Sequence, residues 1–134
     1  MLRKRVVTCF VECEGKILLL KRSEKVGTYQ GKWGAVAGYI EEGETPREAA
    51  EKEIREETGI QDFELMAEGE PYEFKDEELG IIWVIHPFRF RVRNREVKID
   101  WEHVEARWIT PEEMKSLDTV PHLWESWLAV SEQK

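Results

Sequence analysis

The sequence predicts an α/β fold in which a mixed β-sheet is covered by helices on two faces. Strand-like apolar runs stand on both sides of one strongly capped helix, and the chain closes in helical patterns. Its 134 residues are enough for a core that hides close to about 70% of the unfolded surface. One domain over residues 1–134 is therefore expected.

Val6 to Glu12 reads as a strand, Glu14-Gly15 as a turn, and Lys16 to Lys21 as the second strand of a hairpin. The polar stretch Arg22 to Trp33 carries Gly27 and Gly31 and predicts a mobile loop, followed by a short strand Gly34 to Ala37. Thr45, Pro46 and Glu48 are the N-cap, first-turn proline and capping-box acid of a helix that Gly59 ends. Phe63 to Phe74 predicts one strand, Lys75 to Glu78 a charged turn, and Ile81 to Val92 the most hydrophobic strand. His86-Pro87 inside it implies a bulge or an edge position, because proline cannot donate to the ladder. Val97 to Ile109 predicts a strand pair, or a loop and a strand. Two helices follow, one from Thr110-Pro111 to about Leu117, the other opened by Val120-Pro121 with Leu123, Trp124, Trp127, Leu128 and Val130 as its apolar stripe.

Composition narrows the function classes. Twenty Lys and Arg against 28 Asp and Glu leave a net charge of -8, which disfavours nucleic acid and acidic membrane surfaces as partners. Cys9 and Cys13 lack a second pair or a nearby histidine for zinc and read as reduced packing residues. The apolar run after the basic start is short and ends at Glu12, so no secretory signal is expected. Ile17 to Leu20 and Ile81 to Ile85 are of strand length, far short of a membrane span. A cytoplasmic location is the expectation.

The acidic balance is local. Eight glutamates lie between Glu41 and Glu57 against Arg47, Lys52 and Arg55. On the helix, Glu53, Glu56 and Glu57 share one face at spacings of three and four, bordering the apolar Ala50 and Ile54. Like charges so placed repel, and a hard divalent ion such as Mg²⁺ or Mn²⁺ would reverse that repulsion. An anionic substrate would be excluded from such a site without the ion. Arg22, Lys25, Lys32, Tyr29 and Trp33 in the loop before it could hold phosphates or stack on a ring, with Trp33 equally readable as a core anchor. Arg89, Arg91 and Arg93 alternate on one strand face, solvated or in contact with phosphate.

Gly38, Glu44 after five residues, then after seven more Lys52-Glu53-Ile54, Glu56-Glu57 and Gly59-Ile60 resemble the Nudix box. Lys52 stands where that family has arginine. The resemblance implies an α/β/α sandwich, a mixed β-sheet with the box helix on one face and the C-terminal helix on the other. It also implies a hydrolase that cleaves a nucleoside diphosphate linked to another moiety, by water attack at phosphorus. By motif position Glu53, Glu56 and Glu57 carry over as metal ligands, with Gly38 offering a backbone carbonyl. The base differs among members: Glu53 is one candidate, and Glu102 in DWEHVEARW, which would also reach the metal, is the later one, with Glu105 and His103 as alternatives. Lysine in place of arginine offers a point charge rather than a planar fork, so Lys52 is expected to orient the catalytic carboxylate more loosely. The segment Ala37-Gly38-Tyr39 stands where many members have proline and a second glycine, and Tyr39 could narrow the cleft or stack on the ligand.

No signature of the coenzyme A or dinucleoside polyphosphate branches is present. The later part, from HPFRF to TVPHLWESW, looks similar to Nudix domains fused to initiation-factor-2B-like proteins, which hints at a nucleotide or ribose-phosphate metabolite. A small-molecule nucleotide, an ADP-ribose-like compound or a nucleotide sugar is the expected substrate. A weakly catalytic nucleotide-binding module and an RNA-end pyrophosphohydrolase are the alternatives. Homodimers, common in the family, are an expected assembly.

Overall fold

The computed structural model describes residues 1–131. Eight strands join in one mixed sheet. Its centre is β1 (Leu2–Cys13), which runs parallel to β7 (Ile81–Arg91) in unbroken register from Leu2↔Ile81 to Glu12↔Arg91. The other side of β1 pairs antiparallel with β4 (Val36–Tyr39) and, at the Glu12 end, with β2 (Lys16–Arg22). β2 also carries β3 (Trp33–Gly34) and β8 (His103–Ile109), while β7 carries β5 (Glu64–Glu68) and β6 (Tyr72–Asp76).

The two-residue period of a strand sorts the core into two layers. Val7, Cys9, Val11 and Cys13 of β1 point to one face, where Ala49, Ala50 and Ile54 of α1 (Pro46–Thr58) pack on them with Phe88 and Phe90. Phe10, Ile17 and Leu19 point the other way. There they meet Met114 of a 3-10 helix (Pro111–Ser116) and Leu123, Trp127 and Val130 of α2 (Leu123–Val130). This is the expected α/β/α sandwich, with α1 and α2 on opposite faces.

The start of α1 follows its local chemistry. Glu48 N donates to Thr45 Oγ1 at 3.1 Å, and Thr45 N to Glu48 Oε1 at 2.9 Å. At the other end Gly59, with φ 75°, turns the chain left-handed and donates to Arg55 O.

Several expectations need correction. The strand Gly34 to Ala37 is two strands, β3 and β4, on different partners. The strand Phe63 to Phe74 is also two, β5 and β6, broken at Gly69-Glu70-Pro71. Pro87 lies in an interior strand, not at an edge. Its carbonyl accepts from Gly69 N at 2.9 Å, so its missing N–H faces the same side, where β6 has ended and β5 has not yet paired. The helix from Pro111 is a 3-10 helix, and α2 begins at Leu123, after the expected Val120-Pro121 opening, with Leu128 exposed and Ser126 buried. Residues 97–102 are irregular, leaving the loop-and-strand reading. Both cysteines are free and buried.

The stretch 23–32, expected to be mobile, is irregular but tethered. Arg22 Nε and Nη2 donate to Thr28 O at 3.0 and 2.8 Å, and Tyr29 Oη donates to Asp76 Oδ2 at 2.6 Å.

Candidate active site

The acidic face of α1 meets the end of β4. Gly38 packs so tightly there that a Cβ on it would stand 2.3 Å from Glu53 Cδ. One residue earlier, Ala37 N donates to Glu57 Oε1 at 3.3 Å. Glu57 is only 2% exposed and hydrogen-bonded to Glu53. Burial, and then the bond and charge of Glu53, hold the Glu57 carboxyl well above the usual range. Burial raises Glu53 as well. The pair therefore retains a proton at a pH where a free glutamate has lost its own.

His103 closes the buried side. Its Nε2 lies 3.9 Å from Glu57 Oε1, and its Nδ1 2.9 Å from Asp100 Oδ1. Burial holds the imidazole below its usual pKa, so the neutral ring faces Glu57. His103, named from the sequence as an alternative base, stands on the buried side of Glu57. The i, i+3 spacing of Asp100 and His103 is the available signal for this pairing.

Glu102 reaches the same place from the start of β8. It lines the cleft with Gly38, Glu53 and Glu56, and its carboxyl is raised by burial and by Asp100 while Arg22 opposes the rise. Glu56 is exposed at the cleft wall. Among the described residues, no three His, Cys, Asp or Glu side chains are already gathered into a ligand set for a metal ion; Glu57 is turned inward toward Ala37.

Lys52 is engaged elsewhere. Its Nζ pairs with Glu44 Oε2 at 2.9 Å, and Glu44 Oε1 accepts from Glu41 N at 2.8 Å. The lysine thus ties the helix to the loop before it. Sequence reasoning singles out both residues of this pair as motif positions without joining them.

The cleft is about 300 Å³. Its lining includes the carboxylates Glu53, Glu56 and Glu102, the polar Arg22 and Tyr39, and Trp83 and Ile85 with the Tyr29, Tyr72 and Phe74 rings packed on them. Of the residues expected to bind substrate, Arg22, Tyr29 and Tyr39 are brought together. Lys32 is ion-paired with Asp118 at 2.8 Å and is not part of the lining. Trp33 is a core residue under the Arg107 guanidinium. Arg89 and Arg91 pair with Glu12 and Glu64. The aromatic part of the lining around Trp83 is missed by sequence reasoning: Trp83 reads there only as part of an apolar strand, and nothing in that pattern says which face opens onto a cleft.

The chain matches the family model described as NUDIX domain over residues 1–128. It is 34% identical over 130 residues to the nucleoside triphosphatase NudI of Escherichia coli O139:H28, covering 87% of this chain and 89% of that protein. Its fold superposes on the MutT protein of Methanosarcina mazei Go1 with a TM-score of 0.73 at 27% identity, covering 94% and 90% of the two chains. The ORF135 protein of E. coli gives 0.73 at 28%, covering 96% and 91%. With the box carboxylates gathered on α1 and a family match over nearly its whole length, the chain belongs to the Nudix hydrolases, enzymes that cleave phosphoric anhydrides.

Proposed function

We propose that this enzyme hydrolyses a nucleoside triphosphate or a related nucleoside diphosphate derivative with the help of Mg²⁺ or Mn²⁺. The observation that carries the reading is a cleft whose lining combines carboxylates with aromatic rings. A nucleotide has the complementary chemistry, a polyphosphate joined to a flat base. The name of the NudI relative supports the triphosphate.

The residues fit a divalent ion. Glu53 and Glu57 sit against each other and share a proton, an arrangement that a hard cation would relieve. Glu53, Glu56 and Glu57, with the Gly38 carbonyl and the nearby Glu102, would hold the ion. When bound, it supplies charge neutralisation at the phosphate oxygens and Lewis acidity. The protein does the rest. Gly38 leaves room for Glu53, Ala37 N–H holds Glu57, and the Glu44–Lys52 pair holds the loop against α1. Water adds to phosphorus, its proton passes to Glu53 or Glu102 at the cleft wall, and the anhydride P–O bond breaks, its electron pair leaving with the bridging oxygen on the departing phosphate group. Arg22, near Glu102 in the lining, would offer a phosphate the part of its guanidinium that is not bonded to Thr28 O.

Product analysis on nucleoside triphosphates, ADP-ribose, a nucleotide sugar, dinucleoside polyphosphates and capped RNA, with and without chelator, distinguishes the classes. Metal-dependent cleavage led by nucleoside triphosphates supports the reading. Preference for capped RNA, or binding with no turnover of any compound, would replace it.

A further inference from the structure

β8 lies at a rim of the sheet. It bonds to β2 along one side, and among the described residues no strand pairs with its other side. The alternation of an antiparallel ladder says which groups are left facing outward. Arg22 N donates to Lys32 O, and Arg22 O accepts from Gly31 N, so the even residues of β2 face β3 and the odd ones, Ile17, Leu19 and Lys21, face β8. Their partners are Ile109, Arg107 and Glu105. The N–H and C=O groups of Ala106 and Trp108 therefore point away from the sheet, and among the described residues no other segment bonds to them. Such an edge is a template for a further strand unless charge, proline or a cover blocks it. Val104 on this edge is 60% exposed, and Trp101, in the turn that leads into β8, is 65% exposed.

The charges along the edge complement themselves. When two copies meet antiparallel about a two-fold axis at Ala106, the two Ala106 residues exchange both backbone bonds. Glu105 of each copy then stands opposite Arg107 of the other, and Val104 opposite Trp108. Moving the axis one residue, to Arg107, would set arginine against arginine. Glu105 and Arg107 are available for this exchange, being bonded to each other at 3.2 Å with about half of each side chain exposed. The strands on the opposite rim are less suited. Pairing β5 with itself about Met66 would set Glu64 against Glu68, while on β6 Glu73 is ion-paired with Arg3 and Asp76 holds Tyr29.

We infer that this chain associates with a second copy of itself through β8, the two sheets joining into one about a two-fold axis at Ala106. The register of β8 on β2 passes over Val104, an irregularity that trims the ladder, so the paired charges rather than the length of the strand fix the alignment. Val104 and Trp101 supply apolar surface for the second copy to cover. Glu102 and His103 immediately precede the paired stretch, and none of residues 104–109 lines the cleft. The contact lies beside the active site and leaves it open.

Sedimentation equilibrium of the full chain over about a hundred-fold range of concentration measures the association. Wild type should pass from monomer to dimer. Glu105→Arg and Arg107→Glu each set like charges opposite one another at two symmetry-related places, and each should weaken the dimer about ten-fold or more. The double variant restores both pairs and should associate close to wild type, a rescue that general damage to the surface would not produce. Ala106→Pro removes an N–H that the monomer leaves unbonded, and it should sediment as a monomer. Melting curves check that each variant is folded, and if the proline disturbs the strand the charge exchange carries the decision. A wild type that stays monomeric, a dimer indifferent to both single reversals, or single reversals that the double variant fails to rescue overturns the inference.

Discussion

A Cβ on Gly38 would overlap the carboxylate arm of Glu53, at 2.3 Å from Cδ, 2.5 Å from Oε2 and 2.7 Å from Cγ. The atoms in the way are the outer half of a flexible side chain, so the helix and strand need not move. Gly38→Ala should therefore displace Glu53 rather than unfold the protein. We expect kcat to fall about a hundred-fold, as when a metal-site residue is misplaced, with Tm within a few degrees of wild type.

Gly69 is the contrast. A Cβ there would meet Ala129 O at 2.9 Å and Pro87 Cγ at 3.0 Å, backbone and ring that cannot turn aside. Gly69→Ala should cost about 1–3 kcal/mol and lower Tm by several degrees, while kcat of the remaining folded enzyme stays close to wild type. Thermal melts beside initial rates check both halves.

Lys52→Arg tests the departure from the family motif. Since Lys52 binds Glu44 and not Glu53, an arginine that keeps this bond should change kcat by less than about three-fold. Lys52→Met and Glu44→Gln should each lower turnover, and the double variant should be no worse than either single one. A large gain in kcat from Lys52→Arg would show that lysine impairs the site.

The Glu53–Glu57 pair sets a pH dependence in the metal-free protein. The Glu57 carboxyl is raised above its ordinary value near 4.5, so above that pH the folded chain binds more protons than the unfolded one. Stability from this group is present below about pH 4.5 and declines as pH rises through the raised value. His86 and His103, held below their usual values by burial, act in the opposite sense: stability falls as pH drops below about 6.5. Subtracting Glu57→Gln isolates the carboxyl. In chelator the variant should melt close to wild type in acid and above it at pH 8, and identical curves at both pH values would contradict the shared proton.

What the sequence reveals tracks the range of the interactions. The caps of α1 and the carboxylate spacing of Glu53, Glu56 and Glu57 involve neighbours within four residues, and they are legible. The parallel pairing of β1 with β7 joins Leu2 to Ile81, across too much chain for periodicity to see. Pro87 reads as a bulge or an edge residue because its missing donor is visible in the sequence while the break at Gly69 that accommodates it is not. The Lys75 to Glu78 turn reads as solvated charge, yet Asp76 holds Tyr29. Glu102 is found through the family resemblance, and the structure puts it on the same cleft wall as Arg22 and Glu53.

The most direct measurement is Mg²⁺-dependent hydrolysis of a nucleoside triphosphate by wild type and Glu57→Gln, with Mg²⁺ binding followed by calorimetry on the same samples. Wild type should turn over only with the metal. The variant should keep its fold, bind the ion more weakly and lose about a hundred-fold or more in kcat. A folded Glu57→Gln protein that binds Mg²⁺ and cleaves the nucleotide as wild type does would contradict the assignment of this carboxylate cluster as the catalytic metal site.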